Sequence, residues 1–236
     1  MARATQPVTT ETRRAVQLRV RVGGSVVVGV QELGGRSVVL ARSEPDRRRG
    51  ALGRHDGESL AAGAELALRL RVPLVIEVSS SGADISEGVD ALHGWGTAAA
   101  AIASCSGVVP VVAAVTGPAI SGPALLLSLA DLAVMSPSAV AFVSGPSMVA
   151  EFTGVQVSPS ELGGVTVHSA SSGLCAIESP EPLQAASELL AYLPQSADDQ
   201  PPFAPSSDSI DRSVPELRDV VPTRATASYD VRAVAT

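Results

Sequence analysis

Residues 114–131 read AVTGPAISGPALLLSLAD, in which a strand-like apolar run is followed by small residues and then by a helical pattern. Residues 79–84, SSSGAD, have the same setting: the apolar run PLVIEV (73–78) precedes them, and a helix is predicted from about Ser86 to Ser104. Small side chains allow a backbone to approach a ligand closely, and the start of a helix presents unpaired N–H groups. Two such loops facing each other could hold an anionic oxygen between backbone donors, although ordinary strand-to-helix turns would read the same way.

Alternating strand and helix patterns surround these loops. Val-rich strands separated by glycine pairs are predicted near the N-terminus, and a helix over Asp56–Leu70, with Asp56 as its N-cap, follows them. From that helix onwards strands and helices alternate, which predicts an α/β fold. The other predicted elements are strands over Gln17–Val22, Ser25–Leu33, Arg36–Ala41, Val108–Val115, Leu132–Met135 and Val140–Val143, a helix ending near Leu129, and a helix over Pro180–Tyr192.

The chain divides by composition into three parts. Residues 1–15 are polar and are predicted to be a flexible N-terminus, and residues 16–194 hold the strand and helix patterns of one domain. Residues 195–236 begin with a stretch rich in Pro, Ser and Asp, which predicts a linker or a partner-binding tail. We therefore place the domain boundary near Pro194.

Composition excludes several classes of protein. Of 236 residues, 45% are hydrophobic and the mean hydropathy is +0.27, so a mainly disordered chain is excluded. The N-terminus lacks an apolar signal core, and no apolar run reaches the roughly 20 residues that a membrane span needs. Cys105 and Cys175 are too few for a disulfide framework or a four-ligand zinc site. The expectation is a reduced, cytoplasmic protein without a metal and without a membrane association.

The charge distribution and the histidines narrow the chemistry further. All 17 basic residues are Arg, and the net charge of −7 conceals a basic segment before residue 72 and an acidic segment over residues 72–211, where no Arg occurs. An acidic centre argues against nucleic acid as the main ligand. His55, His93 and His168 lie in no metal-ligand spacing and beside no nucleophile motif, so structural roles are expected for them. The backbone donors of the two loops remain the candidate chemistry.

At these loops the chain resembles the crotonase superfamily, since SSGADISEGVD (80–90) is similar to its first loop and residues 114–131 to its second loop and helix. The likeness is closer to the carboxyltransferase β subunits of biotin-dependent acyl-CoA carboxylases, and it covers about residues 20–236. Further similar segments are SGVVP (106–110), SGP (144–146), ELGG (161–164), His168, SG (172–173), YLP (192–194), VP (221–222) and YDVR (229–232). The resemblance implies a crotonase-like (ClpP/crotonase) spiral of ββα units.

The resemblance also implies a reaction, in which a carboxyl group passes from carboxybiotin on a partner protein to the α-carbon of an acyl-CoA. Backbone N–H groups stabilise the enolate, so no catalytic side chain is needed. The residues implied as catalytic are Gly122, Ser121, Ser81 and Gly82. Those implied or considered as substrate-binding are Ala83, Arg47, Arg48, Arg49, Gly117 and Trp95.

Alternative roles stay open for the arginines and for the tryptophan. Arg47, Arg48 and Arg49, with Arg54 nearby, suit the phosphates of CoA, because guanidinium forks match phosphate oxygens. A solvated arginine loop is an equally good interpretation. Trp95 either lines an acyl or pantetheine pocket or packs in the core.

Several residues depart from the family pattern. Ser81 and Ser121 replace glycines, and Asp84 replaces an Arg, where a desolvated carboxylate would oppose an enolate. Ala176 stands where many members carry His or Asp, and Leu125 stands where the hydratases of the superfamily carry their catalytic Glu. The last departure weakens a hydratase assignment.

The resemblance implies partners, because family β subunits carry two related domains and this chain resembles the first of them. We expect a C-half carboxyltransferase subunit, a biotin carboxylase and a biotin carrier protein, in a hetero-oligomer built on trimeric rings. Two alternatives remain. One is a decarboxylase of malonyl or methylmalonyl thioesters that works without biotin, and the other is a non-catalytic scaffold subunit, which the changes at Ser81, Asp84 and Ser121 would explain.

Overall fold

The computed structural model describes residues 19–20, 24–200, 207, 209, 211–224 and 226–234. It contains two compact units, Met1–Pro202 and Phe203–Thr236, and the sheet and the candidate site belong to the first. The predicted flexible N-terminus, 1–15, lies outside the described residues. No helix within the described part of the chain is long and apolar enough to span a membrane.

An eight-stranded sheet forms the centre of the first unit, in the order β1-β2-β3-β4-β5-β6-β8, with β7 also paired to β5. The strands are β1 Arg19–Val20, β2 Val26–Leu33, β3 Arg36–Ser43, β4 Leu74–Ser80, β5 Val111–Ile120, β6 Leu132–Met135, β7 Val140–Phe142 and β8 Ile177–Glu178. The predicted hairpin is confirmed, because β2 and β3 pair antiparallel with Leu33 opposite Arg36. From β3 onwards all pairs are parallel, as α/β alternation requires.

Helices cover both faces of the sheet. The helices of the first unit are α1 Arg54–Leu70, α2 Val89–Ala103, α3 Gly122–Leu127, α4 Pro146–Thr153, α5 Pro159–Gly163, α6 Val165–Val167 and α7 Pro182–Leu189. The second unit contains α8, Leu217–Val220. On one face α1, α2 and α3 bury the main apolar cluster, and on the other Ala186 and Leu190 pack on Val75 and Val112. The run PLVIEV is thus buried on both sides, as its unbroken apolar pattern predicts.

Three differences between the predicted and the observed elements bear on the site. β5 continues through the expected glycine turn to Ile120, because β4 and β7 pair with its last residues. α2 begins at Val89 rather than Ser86, since 85–87 form a separate 3-10 turn. Gly53, not Asp56, is the N-cap of α1.

Asp56 has a different structural role, as a carboxylate that joins β2 to the start of α1. It is 1% exposed and accepts hydrogen bonds from the N–H groups of Val26 and Gly53, both at 2.9 Å, and from the N–H of Ser25. Asp56 therefore caps the Gly53 N–H from the first turn, which is one half of a capping box, since Gly53 has no side chain to complete it.

Close packing of α1 on α2 brings the second helix to the site. A side chain at Gly57 would overlap the carbonyl of Gly94, and a Cβ at Gly94 would lie 2.7 Å from the Cα of Arg54. Only glycines allow two helix backbones to approach so closely. This contact places Trp95, the next residue of α2, beside the loop that precedes α3.

The end of the first unit differs from the predicted boundary at Pro194. Ser196 is 2% exposed, Gln195 donates from Nε2 to the carbonyl of Ser37 (2.9 Å), and the Ala197 N–H donates to the carbonyl of Val108 (2.8 Å). These bonds attach residues 195–197 to the domain, so the residues that begin the predicted linker belong to the compact unit.

Candidate active site

The two small-residue loops lie side by side at the carboxyl ends of β4 and β5. Ser80 pairs in register with Ala119, and a Cβ built on Gly82 would lie 3.3 Å from the carbonyl oxygen of Ile120 and 3.8 Å from the Cβ of Ser121. Parallel strands end at the same edge of a sheet, and ligands of open α/β sheets bind at that edge. The arrangement expected from the sequence, with the loops next to each other, is present.

In the first loop one backbone donor is left without a hydrogen bond to a described residue. The Ser81 N–H donates to the carbonyl of Arg49 (3.0 Å), and the Gly82 N–H donates to the Ser80 hydroxyl (3.3 Å). Ala83 forms a parallel bridge with Leu52. The bridge uses the carbonyl of Gly82 and the N–H of Asp84, so among the described residues nothing accepts from Ala83 N–H.

In the second loop the free donor belongs to Gly122. The Ser121 N–H donates to the carbonyl of Phe142 (2.8 Å), which extends the β5–β7 ladder by one residue. Gly122 is the first residue of α3, so no carbonyl of its own helix accepts from its N–H, and Pro123 after it has no N–H. The start of this helix therefore presents the Gly122 N–H.

These contacts correct the sequence-based set of donors. The N–H of Gly122 is free, as its predicted role requires, whereas the N–H groups of Ser121, Ser81 and Gly82 are engaged within the protein. Ala83, expected only among the substrate-binding residues, supplies the free donor of the first loop. Sequence spacing could not reveal this, because the Leu52–Ala83 bridge joins segments 31 positions apart.

Ala83 and Gly122 line one open pocket of about 590 Å³. Its other lining residues are Leu52, Gly88, Ala91, Leu92, Trp95, Ser121, Pro123 and Leu125, most of which are apolar. A hydrogen bond to an anionic oxygen is stronger in such surroundings than in water. Gly117 does not line the pocket, which corrects its predicted role. It lies within β5, where a side chain would overlap the Ser79 hydroxyl.

Trp95 combines both roles considered for it, since it lines the pocket and packs against the main core. Its indole Nε1–H donates to the carbonyl oxygen of Gly122 at 3.0 Å. A Cβ on Gly122 would lie 2.6 Å from Trp95 Cδ1, so the indole occupies the space of the missing side chain. Glycine is required at 122 for this reason.

Ser121 has a backbone conformation that is unusual for a residue with a side chain. Its φ is 62° and its ψ is −122°, in a region that glycine enters freely and other residues enter at a cost. Ser121, which stands where the family has a glycine, therefore has a strained backbone, and its hydrogen bond in the β5–β7 ladder holds it in this conformation.

The negative charge of the Asp84 carboxylate is compensated by neighbouring groups, and Asp84 does not line the pocket. It is 7% exposed, forms an ion pair with Arg48, and accepts hydrogen bonds from the Ser86 hydroxyl (2.6 Å) and the Ser86 N–H (3.1 Å). The Ser86 hydroxyl, its N–H and the Arg48 guanidinium together lower the pKa of this carboxyl. The expected conflict between Asp84 and an enolate is reduced, because its charge is compensated locally.

The arginine segment supports the first loop, and most of it is not free for a ligand. Arg47 donates to the carbonyl of Gly24, and Arg48 pairs with Asp84 and, at 3.6 Å, with Glu87. These contacts differ from the prediction, in which both side chains are free to bind the phosphates of CoA. Arg49 has an exposed side chain without a hydrogen bond or ion pair to any described residue.

The backbone of the arginine segment takes a rare form next to Ser80. Arg48, Arg49 and Gly50 have φ values of 48°, 56° and 66°, three consecutive left-handed residues. The Ser80 hydroxyl donates to the carbonyl of Gly50 at 2.6 Å, and a side chain at Gly50 would overlap the carbonyl of Ser79. The turn therefore packs its backbone directly on the end of β4.

Comparison with known proteins now identifies the family. Residues 5–236 match the carboxyl transferase domain family. The chain belongs to this family. The carboxyl transferase domain described above thus includes nearly the whole chain, and the resemblance stated for its loops is confirmed.

Two carboxyltransferase subunits are similar to this carboxyl transferase domain. The methylmalonyl-CoA carboxyltransferase 12S subunit of Propionibacterium freudenreichii subsp. shermanii is 33% identical over 212 residues, which are 89% of this chain and 40% of that protein. The propionyl-CoA carboxylase carboxyltransferase subunit of Haloferax mediterranei is 32% identical over 216 residues, which are 90% of this chain and 42% of that protein. The chain spans about two fifths of these relatives, in their N-terminal halves.

A decarboxylase component is also similar, and a solved structure confirms the fold. The methylmalonyl-CoA decarboxylase subunit alpha of Veillonella parvula is 29% identical over 216 residues, 90% of this chain and 42% of that protein. A solved transcarboxylase 12S, a hexamer with hydrolysed methylmalonyl-coenzyme A bound, has a TM-score of 0.75 at 33% identity, over 89% of this chain and 42% of that one. The predicted crotonase-like α/β fold is confirmed.

Proposed function

We propose that this carboxyl transferase domain binds an acyl-CoA and stabilises its enolate while the α-carbon gains a carboxyl group. One observation carries the proposal: Ala83 and Gly122, on two different loops, present free backbone N–H groups at one apolar pocket. Such a pair suits an oxygen that becomes negatively charged during the reaction.

The chain's own part in the reaction follows from those donors. The α-carbon loses a proton, the electron pair forms the enolate, and the thioester oxygen between the Ala83 and Gly122 N–H groups takes the negative charge. The enolate carbon then bonds to the carboxyl carbon as the bond from that carbon to the donor's nitrogen breaks, and that nitrogen takes up the proton lost by the α-carbon. Carboxybiotin, carried on a partner protein, supplies the carboxyl group.

This chain does not provide a fitted biotin site among its described residues. The pocket has two free backbone donors, which serve one oxyanion, and we assign them to the thioester. We therefore propose that the second domain of the relatives, on whichever chain it lies, holds the biotin. The expected assembly is a hetero-oligomer on trimeric rings with a C-half carboxyltransferase subunit, a biotin carboxylase and a biotin carrier protein.

Exposed apolar side chains beside the pocket support a covering partner. Ile85 is 92% exposed and Val89 is 76% exposed, and both belong to the segment that leads from the first loop into α2. Leu92 and Leu125, which line the pocket, are exposed as well. Large exposed apolar side chains of this kind are typical of an interaction site, and covering them would exclude water from the enolate.

Arg49 is the residue we propose for the CoA phosphates. Its side chain is exposed and has no partner among the described residues, and its carbonyl accepts from the first loop at Ser81. A guanidinium close to that loop would attract a phosphorylated ligand as it approaches.

A second candidate function is decarboxylation of a malonyl or methylmalonyl thioester. In that reaction the bond from the α-carbon to the carboxylate breaks, carbon dioxide leaves, and the electron pair forms the same enolate, which water then protonates. The donors of Ala83 and Gly122 are sufficient for it, and the similar decarboxylase subunit alpha favours it. A biotinylated partner is then not required for the release of carbon dioxide.

Purification of the tagged full chain from its native host tests the two functions together. We expect mass spectrometry to find a C-half carboxyltransferase and a biotinylated protein. We also expect the complex to incorporate labelled bicarbonate into propionyl-CoA in an ATP-dependent reaction, and the addition of avidin to abolish this activity. Release of carbon dioxide from malonyl-CoA, unaffected by avidin, would favour the decarboxylase. A lone homo-oligomer without either activity would contradict both and favour a scaffold.

A further inference from the structure

We propose that Trp95 is a positioning residue that keeps Gly122, and with it the Gly122 N–H, in place at the pocket, through the contact of its ring with Gly122 and a hydrogen bond from the indole to the Gly122 carbonyl. The inference rests on the proposed function, because it concerns the donor assigned there to the thioester oxygen. It goes beyond that function by giving a side chain a role in a site otherwise made of backbone.

The geometry around Gly122 shows what restrains the donor. Ser121, the residue before it, is fixed by two backbone hydrogen bonds. The Ser121 N–H donates to the carbonyl of Phe142 (2.8 Å), and the Ser121 carbonyl accepts from the N–H of Leu125 (3.3 Å). Gly122 itself has no side chain to restrict its rotation. On its far side the Trp95 indole donates to its carbonyl at 3.0 Å, and this is the side-chain hydrogen bond that Gly122 makes among the described residues.

Shape reinforces the hydrogen bond. The Trp95 ring fills the volume that a Cβ on Gly122 would enter, with Cδ1 at 2.6 Å and Nε1 at 3.1 Å from that position. Glycine loses more conformational freedom than any other residue when it is fixed. A flat ring against its Cα therefore limits the movement that would turn the N–H away from the pocket.

The position of the tryptophan is itself well fixed. Trp95 follows Gly94, whose lack of a side chain allows α2 to lie against Arg54 of α1, and the ring packs on the main apolar cluster. The contact of Trp95 with Gly122, which we call the clamp, is thus anchored in helix packing rather than in a loop. It connects the core of the domain to the oxyanion donor, which a purely packing role would not require.

An isosteric change isolates the N–H group. Replacing Trp95 by benzothienylalanine, in which sulfur takes the place of the indole N–H, keeps the ring size and removes the donor. In the purified native complex we expect the KM for propionyl-CoA to change less than about twofold and the kcat to fall about tenfold, less than the loss of a whole oxyanion donor. Trp95→Phe, accessible by ordinary mutagenesis, is expected to change kcat in the same direction.

A spectroscopic readout separates positioning from stability. The carbonyl stretch of bound 1-¹³C propionyl-CoA should shift to lower frequency in the wild-type protein and shift less in either variant. Ile102→Val, a fully buried change on the same helix, is the control, and it should lower stability while leaving the stretch unchanged. A variant with wild-type kcat and stretch would overturn the clamp, as would an equal loss in the control.

Failure of the proposed function is distinguishable in the same experiment. If wild-type protein binds no propionyl-CoA and its complex turns over neither propionyl-CoA nor malonyl-CoA, the function is wrong and the clamp with it. If wild-type binding and turnover are present and the isosteric variant matches them, the function stands and only the clamp is overturned.

Discussion

The first loop, 79–84, and the second, 117–122, present the same kind of donor but are supported in opposite ways. The first loop is joined to the backbone of another segment, since Ser81 bonds to Arg49 and Ala83 forms its bridge with Leu52, and the Arg48–Asp84 ion pair adds to these contacts. The second depends on a β ladder on one side and on the Trp95 side chain on the other. Side chains therefore matter even in a site made of backbone N–H groups. A single substitution near Gly122 is expected to remove more support than one near Ala83.

The largest effect is expected at the second loop from Gly122→Ala. The new Cβ would meet Trp95 at 2.6 Å, so the ring or the peptide must move. We expect turnover to fall about 10²–10³-fold, the usual result of losing an oxyanion donor. Carboxylation or decarboxylation assays on the purified complex measure this loss.

A double-mutant cycle with Trp95→Ala identifies the cause of that effect. If the clash is with the ring, the free energy of unfolding lost in Gly122→Ala should be partly regained when Trp95→Ala is added, with a coupling of about 1–2 kcal/mol. Strictly additive losses would show that the ring does not fill this space.

At the first loop, Asp84→Asn should have a moderate, pH-dependent effect on stability. The partners of Asp84 lower its pKa, so the folded state favours the carboxylate and the stabilisation is fully present above its unfolded-state pKa of about 3.9. We expect the variant to lose about 1 kcal/mol at neutral pH, and this difference to vanish as pH falls through the lower folded-state pKa. Denaturant melts at several pH values measure it.

Glu87→Gln is the matched control for that change, since Glu87 also faces Arg48 but at 3.6 Å. Glu87 also accepts a hydrogen bond from the Arg54 N–H (2.7 Å), which the amide oxygen of Gln can keep. At neutral pH its effect should therefore be smaller than that of Asp84→Asn. An Asp84→Asn variant as stable as wild type at neutral pH would show that the Arg48 contact does not hold the first loop.

A small gain in stability is expected from Ser121→Gly. The substitution removes the strain of a non-glycine residue at φ 62°, so the free energy of unfolding should rise by about 1 kcal/mol. Ser128→Gly, at the ordinary φ of −71° at the end of the same helix, should bring no gain. Equal behaviour of the two serines in thermal melts would argue that Ser121 is not strained.

The smallest effect is expected at the exposed arginines. Arg49→Ala should raise the KM for an acyl-CoA about threefold, and the difference should shrink at high salt, because an exposed charge is screened. Arg47→Ala, whose side chain already donates to Gly24, should change the KM less. Equal effects of the two changes would remove the specific role proposed for Arg49.

The sequence was informative about the loops because their properties are local. Small residues between an apolar strand and a helical pattern predict the positions of both loops, and the alternation of elements predicts the sheet with helices on both faces. The short helices α4 to α6 were not predicted, since their residues form no long apolar stripe, although Ser158, Pro159 and Glu161 carry the capping-box signal with which α5 begins.

The distribution of hydrogen bonds within the site could not be predicted in the same way. Whether the N–H of Ser81 or of Ala83 is free depends on Arg49 and Leu52, more than 30 positions away in the chain. The neutralisation of Asp84 by Arg48 is equally distant in sequence. These are tertiary pairings, and a pattern of residue types along one chain does not specify which partner each group finds.

The contact between Trp95 and Gly122 has a practical consequence. The chain contains one tryptophan, and it lies on the wall of the candidate pocket. Emission excited at the red edge of aromatic absorption therefore comes from that wall alone, without a label or a substitution. Quenching or a change in anisotropy during a titration of the purified chain with thioesters would report the occupancy of this site.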